Sequence, residues 1–419
     1  MSSSSQRPVS KRSATTVFYS LALGSGVMRT FSVMFDIVAL NTVEIDSLTY
    51  GFLAQWTSFI VTFLAVAFLS IKRTTNGKRQ PLGYSLDPDF GKLQLLPKKP
   101  MLYIIAAGVF AGISTLAYYV LVASSDTSTV LPYGQLVIIY LLLGDLMAEK
   151  DTPTIIEVQS IISILFGVLL VGTAPGGFNI LTLVIVLGPM NISSALVTYY
   201  QRKTKRHELK PGLRVDSLNM RVWSLLVLNL VLSALSLPFL GPASWDEMII
   251  NFVPLSGLMI GTSLATFFSI VMYVRALGRG SMAVVNSLSS ISVVLGIPVT
   301  IIGNLLLPGA FGVIEADAFL WVLKLFGVTL VMIGVLALQA SDVRSIVMIK
   351  VKPQTGDLLP QLFDVKGVEK AAALAGRHDY MLNIKSRNLA KTGSMILKRI
   401  EEIPGIDEVE TLVVIKEYR

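Results

Sequence analysis

Two charged side chains of opposite sign, Arg29 and Asp36, lie inside the first long apolar segment of the chain. In a helix they stand two turns apart, so they share one face with about 10 Å between them along the axis. A charge at the centre of a bilayer costs about 2.5–3.5 kcal/mol on insertion scales, so such a residue is by default a candidate for a functional site. The guanidinium can hold a carboxylate or phosphate through two hydrogen bonds, and the carboxylate can take an amino group or a coupling proton.

Polar uncharged side chains in other apolar segments are candidates for the same site. Pro132, Pro189 and Pro298 can interrupt helices and expose backbone groups that bind polar substrates. The structural alternative for each side chain is that it only joins neighbouring helices. The substrate-binding residues predicted for the centre of a helical bundle are Arg29, Asp36, Tyr118, Tyr133, Asn191, Tyr273 and Asn286.

A third ionisable group, Lys324, lies in the last apolar segment at a depth similar to that of Asp36. It can pair with Asp36 across a bundle, or it can extend its aliphatic stem along the lipid-facing surface towards water. The second arrangement is the one we expect, with the last apolar segment at the periphery of the bundle.

The composition places these residues in a membrane. Of 419 residues, 53% are hydrophobic and 15% are charged, whereas about 25% of an average soluble protein is charged. Since the chain has no Cys and only two His, it offers no disulfide, no thiolate metal site and no histidine cluster for a metal. No phosphate-binding loop or nucleophile–base set is present either. We therefore predict a protein that is not an enzyme and needs no cofactor.

Ten apolar segments are long enough to cross a hydrocarbon core of ~30 Å. The connections on one side of them carry 20 Lys and Arg, and the connections on the other side carry none. By the positive-inside rule, the basic side and both termini face the cytoplasm. We predict an α-helical polytopic membrane protein in contact with lipid. Its predicted spans are about 16–40, 50–71, 101–123, 129–147, 155–172, 178–200, 221–240, 253–275, 282–306 and 318–339.

The fifth and tenth segments share a pattern that indicates an internal repeat. Residues 165–171 (LFGVLLV) and 325–331 (LFGVTLV) agree at six of seven positions. Because five crossings is an odd number, the second copy must be inserted upside down, and such inverted repeats place a substrate site between the halves. We predict a polar N-terminus at 1–15 and a 5+5 inverted repeat formed by 16–173 and 178–340.

Two motifs of this ten-segment region resemble a known family. The motif GSG at 24–26 and the motif LGD at 143–145, together with the 5+5 arrangement, resemble the EamA family of the drug/metabolite transporter superfamily. In that family small residues kink the first helix, and an apolar-Gly-Glu motif commonly ends the fourth, where this chain has Asp145. The connection 72–100 is longer than is usual there. The resemblance implies a secondary carrier of amino acids, other metabolites, nucleotide sugars or sugar phosphates.

The composition changes after Ala340, where short alternating patterns replace the long apolar segments. Residues 345–419 predict the order βαββαβ, a ferredoxin-like α+β domain. A tight turn is expected at 376–378, and Asn388 is expected to cap the second helix. The predicted strands are 345–352, 368–376, 378–386 and 406–416, and the predicted helices are 355–363 and 388–402.

Motifs of this tail resemble the effector-binding domain of Lrp/AsnC-type regulators over its full length. They are VKGV at 365–368, GRHDY at 376–380, IPGI at 403–406 and ETLVV at 410–414. In that family the domain dimerises through its sheet and binds amino acids near a Gly-x-x-Asp turn. The resemblance implies a homodimer whose effector-binding residues include Gly376, Asp379 and Tyr380. Because apolar segments replace the DNA-binding helix-turn-helix, we expect no nucleic-acid partner; a module that only oligomerises is the alternative.

These patterns predict a secondary transporter, with export as its direction, for a small polar metabolite such as an amino acid in a prokaryotic cell membrane. The cytoplasmic tail is expected to sense amino acids, to dimerise and to contact the basic connections 72–100 and 202–221. One alternative is a nucleotide-sugar or phosphate-ester carrier, which calls for more than one cation in the cavity, where Arg29 is the good candidate. Another is a membrane-anchored ligand sensor without transport.

Overall fold

The computed structural model separates the chain into two compact units. The bundle unit comprises Ala14–Lys150 and Ile161–Val335, and the tail unit contains the chain from Leu336 onward. The structure describes residues 11–413 apart from 76–77, 123–126, 150–154, 172–179, 211–212, 312–316, 341–342, 366–367 and 387–396.

The bundle unit is built of helices, which satisfy their own backbone hydrogen bonds, as an apolar environment requires. Two short hairpins of the basic connections accompany them: β1 (Lys72–Thr75) with β2 (Lys78–Pro81), and β3 (Glu208–Lys210) with β4 (Leu213–Arg214). The helices are α1 (Lys11–Thr42), α2 (Ser47–Leu69), α3 (Lys98–Val122), α4 (Thr127–Gln135), α5 (Val137–Glu149), α6 (Ile155–Val171), α7 (Ile180–Ile185), α8 (Ser193–Lys205), α9 (Ser217–Ser236), α10 (Pro242–Leu277), α11 (Met282–Ser289), α12 (Ile291–Leu306) and α13 (Ala318–Ala340).

Within the described residues, six helices are long and apolar enough to cross a membrane, and three shorter apolar helices accompany them. Each of the nine overlaps a different predicted span, which supports a multi-pass membrane protein. The full count of ten crossings stays a prediction. The six long helices are Thr16–Thr42, Ser47–Leu69, Lys98–Val122, Ser217–Phe239, Pro242–Leu277 and Met282–Leu306, and the shorter ones are Leu131–Gly144, Val158–Val171 and Ala318–Gly334.

The predicted span 178–200 is interrupted in its middle. Between α7 and α8 the chain forms a π-helical segment, Val186–Ile192, in which Gly188 leaves helical geometry just before Pro189. Proline lacks the N–H that would continue the helical ladder, so nearby carbonyls need other donors. Tyr140 donates to the Leu187 carbonyl at 2.9 Å, and Ser114 donates to the Met190 carbonyl at 2.9 Å. Side chains of neighbouring helices thus stabilise the break.

Small residues allow close helix crossings elsewhere in the bundle. Where the family resemblance implies a kink at 24–26, α1 runs as one helix. Gly26 instead brings α1 against α11, because a Cβ there would clash with the Ser289 carbonyl oxygen. The repeated motif behaves similarly: Gly167 of α6 and Gly327 of α13 each approach the carbonyl oxygen of the other. Such small-residue contacts are typical of helix packing in membranes.

Residues 82–97, here called the cap segment, fold onto the basic end of the bundle. Asp87 is 1% exposed. Its carboxylate accepts hydrogen bonds from the Ser217 backbone N–H at 2.7 Å and from the Lys205 ammonium at 2.9 Å. Lys205 also binds Asp89 at 2.9 Å. Burial alone would raise the pKa of Asp87, but Lys205 and Ser217 together hold it below its ordinary value.

Apolar contacts complete the attachment of the cap segment. Phe90 is 2% exposed and packs with residues of α2, α9 and α10 in one cluster. Asn219 donates to the Lys92 carbonyl at 2.9 Å, and Trp223 donates to the Gln94 carbonyl at 2.9 Å. By its composition, connection 72–100 is expected to be a basic connection, whereas in the structure its second half is a packed part of the bundle unit.

The tail unit contains a four-stranded antiparallel sheet in the order β6-β7-β5-β8. Its element order, as far as the structure describes it, agrees with the predicted βαββαβ. One face forms a core with the helices, in which Val347, Leu362 and Leu382 are fully buried. The elements are β5 (Val343–Val351), α14 (Leu359–Asp364), β6 (Val368–Ala373), β7 (Tyr380–Ser386), α15 (Leu397–Glu401) and β8 (Ile406–Val413).

The connection between β6 and β7 differs from the predicted tight turn. It spans residues 374–379. The Leu374 backbone N–H donates to the Asp379 carbonyl and closes this wider loop. The first half of the predicted helix 388–402, with the proposed cap Asn388, lies outside the described residues, as do the last residues of the predicted strand 406–416.

Candidate functional site

A cavity of about 270 Å³ lies inside the bundle unit. Five of the seven predicted substrate-binding residues line it: Arg29, Asp36, Tyr118, Tyr273 and Asn286. The rest of the wall is rich in hydroxyl groups, which donate and accept hydrogen bonds without adding charge. These hydroxyl residues are Ser25, Ser32, Ser114, Thr115, Ser194, Thr198, Ser224, Thr262, Thr266, Ser269 and Ser289.

Polar contacts between α1 and α10 hold this side of the cavity together. The Ser269 hydroxyl donates to the Ser25 carbonyl at 2.8 Å, and the hydroxyls of Ser32 and Thr266 lie 2.6 Å apart. Residue numbers rise along α1 as they fall along α10, so the two helices are antiparallel. The positions of Arg29 and Asp36 on α1 are thereby set against a fixed partner helix.

Asp36 is 4% exposed, and three hydroxyl groups surround its carboxylate. Oδ1 accepts from Tyr50 at 2.8 Å and from Thr262 at 3.2 Å, and Oδ2 accepts from Tyr118 at 3.0 Å. Neutral donors from α2, α3 and α10 therefore satisfy most of the hydrogen-bonding capacity of this group. Tyr118, which the sequence predicts to bind substrate, also positions Asp36.

Arg29 extends into the cavity against Gly134 of α4. A Cβ at position 134 would clash with a terminal nitrogen of the guanidinium, so the glycine provides the space that the arginine occupies. Among the described residues no side chain forms an ion pair or hydrogen bond with this guanidinium. Its donors are therefore directed at the space of the cavity.

A chain of hydrogen bonds crosses the cavity wall beside Tyr273 and Asn286. The hydroxyls of Thr198 and Tyr273 lie 3.3 Å apart, and the Tyr273 hydroxyl is 3.5 Å from the Asn286 side-chain oxygen. The Asn286 amide donates to Gln135 at 3.1 Å, and Gln135 donates to Ser292 at 3.2 Å. This network links α8, α10, α11, α4 and α12, so a ligand that contacts Tyr273 acts on elements of both predicted halves.

Tyr133 and Asn191 are buried near the cavity but do not belong to its wall. The Asn191 amide donates to the carbonyls of Tyr133 at 2.9 Å and Val186 at 2.6 Å, so it ties α4 to the π-helical segment. Both residues thus fit the structural alternative better than substrate binding. Lys324 is 8% exposed, so the expectation that it extends along an outer surface is wrong.

Arg221 lines the same cavity, although it is not among the residues predicted from the sequence. The seventh predicted span begins at Arg221, which places this residue among the cations of a connection. In the structure α9 begins at Ser217, with the Asp216 carboxylate accepting the Asn219 N–H at 2.7 Å. Arg221 consequently lies one turn inside the helix and is 6% exposed. The pattern Asp216-Ser217-x-Asn219, a typical N-cap, is the signal that would have placed the helix start correctly.

The predicted effector residues of the tail lie in different surroundings. Gly376 is exposed, and the Asp379 carboxylate accepts the Val351 N–H at 2.8 Å, which ties the start of β7 to the end of β5. Tyr380 is in the core, and its hydroxyl accepts the Leu358 N–H at 3.3 Å. Asp379 and Tyr380 therefore have structural roles in the folded tail, whatever they contribute to binding.

The described residues contain no group of three or more His, Cys, Asp or Glu side chains that could hold a metal ion. The cavity instead combines two guanidinium groups, one carboxylate and many hydroxyls. Such a set recognises a small polar molecule through hydrogen bonds and charge.

Comparison with known proteins identifies the tail. Residues 344–419 match the family model of the Lrp/AsnC ligand binding domain, so the chain carries such a domain at its C-terminus, as its motifs predict. No curated protein matches the chain. A solved structure described only as "Crystal structure of protein" aligns with 75% of this chain and 98% of its own, at 14% identity and a TM-score of 0.49. A likeness at this level carries no argument, and the resemblance to the EamA family stays a prediction.

Proposed function

We propose that this chain is a secondary transporter that exports a small polar metabolite, an amino acid or related compound, from a prokaryotic cell. The observation that carries the proposal is the placement of Arg29 and Asp36 on the wall of one cavity within apolar helices. Charged groups are costly at such positions. A molecule between them meets a cation towards one end and a carboxylate towards the other, as a zwitterion requires.

The size of the cavity supports a small substrate. Sites for drug-sized ligands and cofactors occupy about 300–1,000 Å³, and the cavity of about 270 Å³ falls just below that range. A nucleotide sugar is a poor fit to this volume. A compound of amino-acid size fits.

We propose further that the bundle is a ten-helix, EamA-like carrier with inverted repeats and cytoplasmic termini. The reciprocal approach of Gly167 and Gly327 supports the repeat. These residues occupy equivalent positions in the two matching motifs, and an approximate two-fold axis between repeats brings equivalent positions together. The excess of Lys and Arg in alternate connections supports the orientation.

The tail is proposed to bind an amino acid in the cytoplasm and to dimerise. Its Lrp/AsnC ligand binding domain supports the first part. The sheet face opposite the core supports the second part, because it carries partly exposed apolar side chains on adjacent strands. Ile346 pairs with Leu412, and Met348 pairs with Met381, and a second copy of the sheet can cover such a face.

Flux through proteoliposomes tests the transport proposal directly. Full-length protein is reconstituted with each radiolabelled amino acid inside the vesicles, and efflux is measured for the wild type and Arg29→Ala. We expect efflux of at least one compound and its loss in the variant. Arg279→Ala is the matched control, because Arg279 is exposed at the basic end. Wild-type flux in Arg29→Ala would overturn the assigned site.

Two other functions remain as candidates. A phosphate-ester carrier is favoured by one observation, the second arginine of the cavity wall, Arg221. A membrane-anchored sensor would bind amino acid tightly at the tail while no tested compound crosses the membrane. The same vesicles distinguish the three functions when sugar phosphates are included among the tested solutes.

A further inference from the structure

We infer that Arg221 is a second anion-binding residue of the cavity, and that the substrate therefore carries two acidic groups. The inference rests on the proposed transport function and narrows its substrate class. The expected ligands are small metabolites with two carboxylates, or with one carboxylate and one phosphate. A simple neutral amino acid has a single anionic group and would leave one guanidinium without a partner.

The first argument is the burial of Arg221 without a partner. The residue is 6% exposed, and its Nε is buried with no hydrogen-bond acceptor among the described residues. No acidic side chain among the described residues forms an ion pair with the Arg221 guanidinium. A buried guanidinium without a counter-charge is unfavourable, and this one lines a cavity that a small anion can enter.

The second argument is the charge balance of the wall. Two guanidinium groups face one carboxylate, that of Asp36, which already accepts three hydroxyl hydrogen bonds. Asp36 is thus stabilised by neutral donors, and it does not pair with either arginine in the described structure. The charged groups of the wall that have no hydrogen-bond partner among the described residues are thus both cationic donors, which select anions.

The third argument is the spacing of the charges along the cavity. Arg29 precedes Asp36 by two turns on α1. Arg221 precedes Asn229 on α9 by eight residues, or about 12 Å, and the Asn229 amide contacts the Gln55 carbonyl of α2 at 2.9 Å. Gln55 itself binds the Tyr119 hydroxyl at 3.1 Å, close to the Asp36 group.

Arg29 and Arg221 therefore both lie towards the basic end of the bundle from Asp36, which is the anionic end of the series. The Arg221 end is the end where Lys205 and the cap segment lie, because α9 begins beside them. A substrate with an ammonium group towards Asp36 and two acidic groups towards Arg29 and Arg221 can contact the whole series of three charges. A monoanion can contact only part of it.

The test compares matched ligands that differ by one acidic group. Binding to purified full-length protein is measured by calorimetry for aspartate against asparagine, glutamate against glutamine, and phosphoserine against serine. We expect the acidic member of at least one pair to bind about tenfold more tightly, since a charge-assisted hydrogen bond contributes that much. The first two pairs report a dicarboxylate and the third reports a phosphate.

Arg221→Gln should abolish this preference, whereas Arg221→Lys should keep most of it. Arg279→Gln, which removes an exposed charge at the same end, should leave the preference unchanged. Without ligand, Arg221→Gln should melt at the wild-type temperature or higher, because it removes a buried unpaired charge. A purely structural Arg221 predicts the opposite, a lower melting temperature together with an unchanged ratio between the two members of each pair.

The outcomes separate this inference from the proposed function. Flux of neutral amino acids, with equal affinity for both members of every pair, would overturn the inference and leave transport standing. Binding of an acidic ligand that depends on Arg221, without flux of any tested compound, would support the inference and overturn the transport proposal.

Discussion

At the scale of single residues, the charged groups of the cavity wall differ in how many hydrogen-bond partners they have. Asp36 accepts hydrogen bonds from Tyr50, Tyr118 and Thr262. The guanidinium groups of Arg29 and Arg221 have no such partners among the described residues. A buried donor without an acceptor costs more free energy than a satisfied group, so both arginines lower stability unless a ligand supplies the acceptor.

Asp36→Asn is expected to lower flux at least tenfold, in line with the loss of a charge-assisted hydrogen bond of about 1.5–3 kcal/mol. The asparagine oxygen can still accept a hydroxyl hydrogen bond, so the melting temperature should change little. Flux is measured in proteoliposomes and melting in detergent. Tyr50→Phe is the control, because it removes one donor to Asp36 and keeps the carboxylate. If both variants lose flux equally, the charge of Asp36 has no role of its own.

At the scale of elements, the cap segment shows how a long polar connection becomes part of a membrane bundle. Asp87 joins three features: the basic end of α8 through Lys205, the start of α9 through Ser217, and the fold of the segment itself. The carboxylate also lies at the N-terminus of α9, where the helix dipole favours a negative charge.

Asp87→Asn should lower stability by about 3 kcal/mol, the lower end of the range for breaking a buried ion pair, because Lys205 keeps Asp89 as a partner. The melting temperature in detergent measures the effect. Asp89→Asn is the matched control: the Asp89 side chain is 25% exposed against 2% for Asp87, so its removal should cost less. Equal losses in the two variants would show that burial does not decide the strength of this contact.

The same interaction predicts a pH dependence. The pKa of folded Asp87 lies below its ordinary value. The stabilisation is therefore fully present above about pH 4 and is lost as the pH falls through the lowered pKa. Burial raises the pKa of Asp216 to about 6. Asp216 therefore affects stability in the opposite direction: the folded protein loses stability as the pH rises from about 4 to 6, because the carboxyl group ionises more readily in the unfolded chain. The difference in melting temperature between wild type and Asp87→Asn, measured at each pH, should be constant near pH 7 and shrink below pH 4.

The crossing of α6 and α13 depends on glycine at both matched motifs. Gly167→Ala should lower the melting temperature, because the new Cβ would clash with the backbone oxygen of Gly327. Gly257→Ala is the matched control, since a Cβ there meets no atom within 4 Å, and alanine in a helix interior is favoured over glycine by about 1 kcal/mol. Thermal melting in detergent that ranks the two variants in the reverse order would contradict the close crossing.

At the scale of the whole molecule, the chain joins a helical bundle with a cavity to a ligand-binding domain. The tail has its own core and sheet. If the tail regulates transport, effector binding must differ between the transport states. A tenfold shift in that equilibrium requires about 1.4 kcal/mol of coupling free energy.

Truncation after Arg344 is therefore expected to leave a folded carrier whose flux no longer responds to amino acids outside the transport pathway. Flux is compared between full-length and truncated protein at rising concentrations of each amino acid on the tail side. Asp379→Ala should weaken effector binding, and because Asp379 joins β5 to β7, its melting temperature must be measured beside the binding. A truncated protein that keeps the full response would contradict regulation by the tail.

Composition and periodicity were sufficient to predict the features of the chain that depend on them alone. Long apolar segments predict helices because an apolar environment leaves the backbone no other partner, and nine of the ten overlap apolar helices in the structure. The motifs and strand patterns of the tail predicted its domain correctly. Arg29 and Asp36 could be chosen for the cavity because two charges in one apolar helix are costly wherever they point.

Tertiary structure alone decided which polar groups share the cavity and which join helices. Asn191 and Tyr118 look alike as polar residues in apolar segments, yet one ties a break in a helix and the other lines the cavity beside Asp36. By sequence, Arg221 is a cation at the edge of a predicted span. In the structure α9 begins at Ser217, which places Arg221 within the helix. Each outcome depends on contacts between residues distant in the chain, such as Asp87 with Ser217, and a period of hydrophobicity contains no information about those partners.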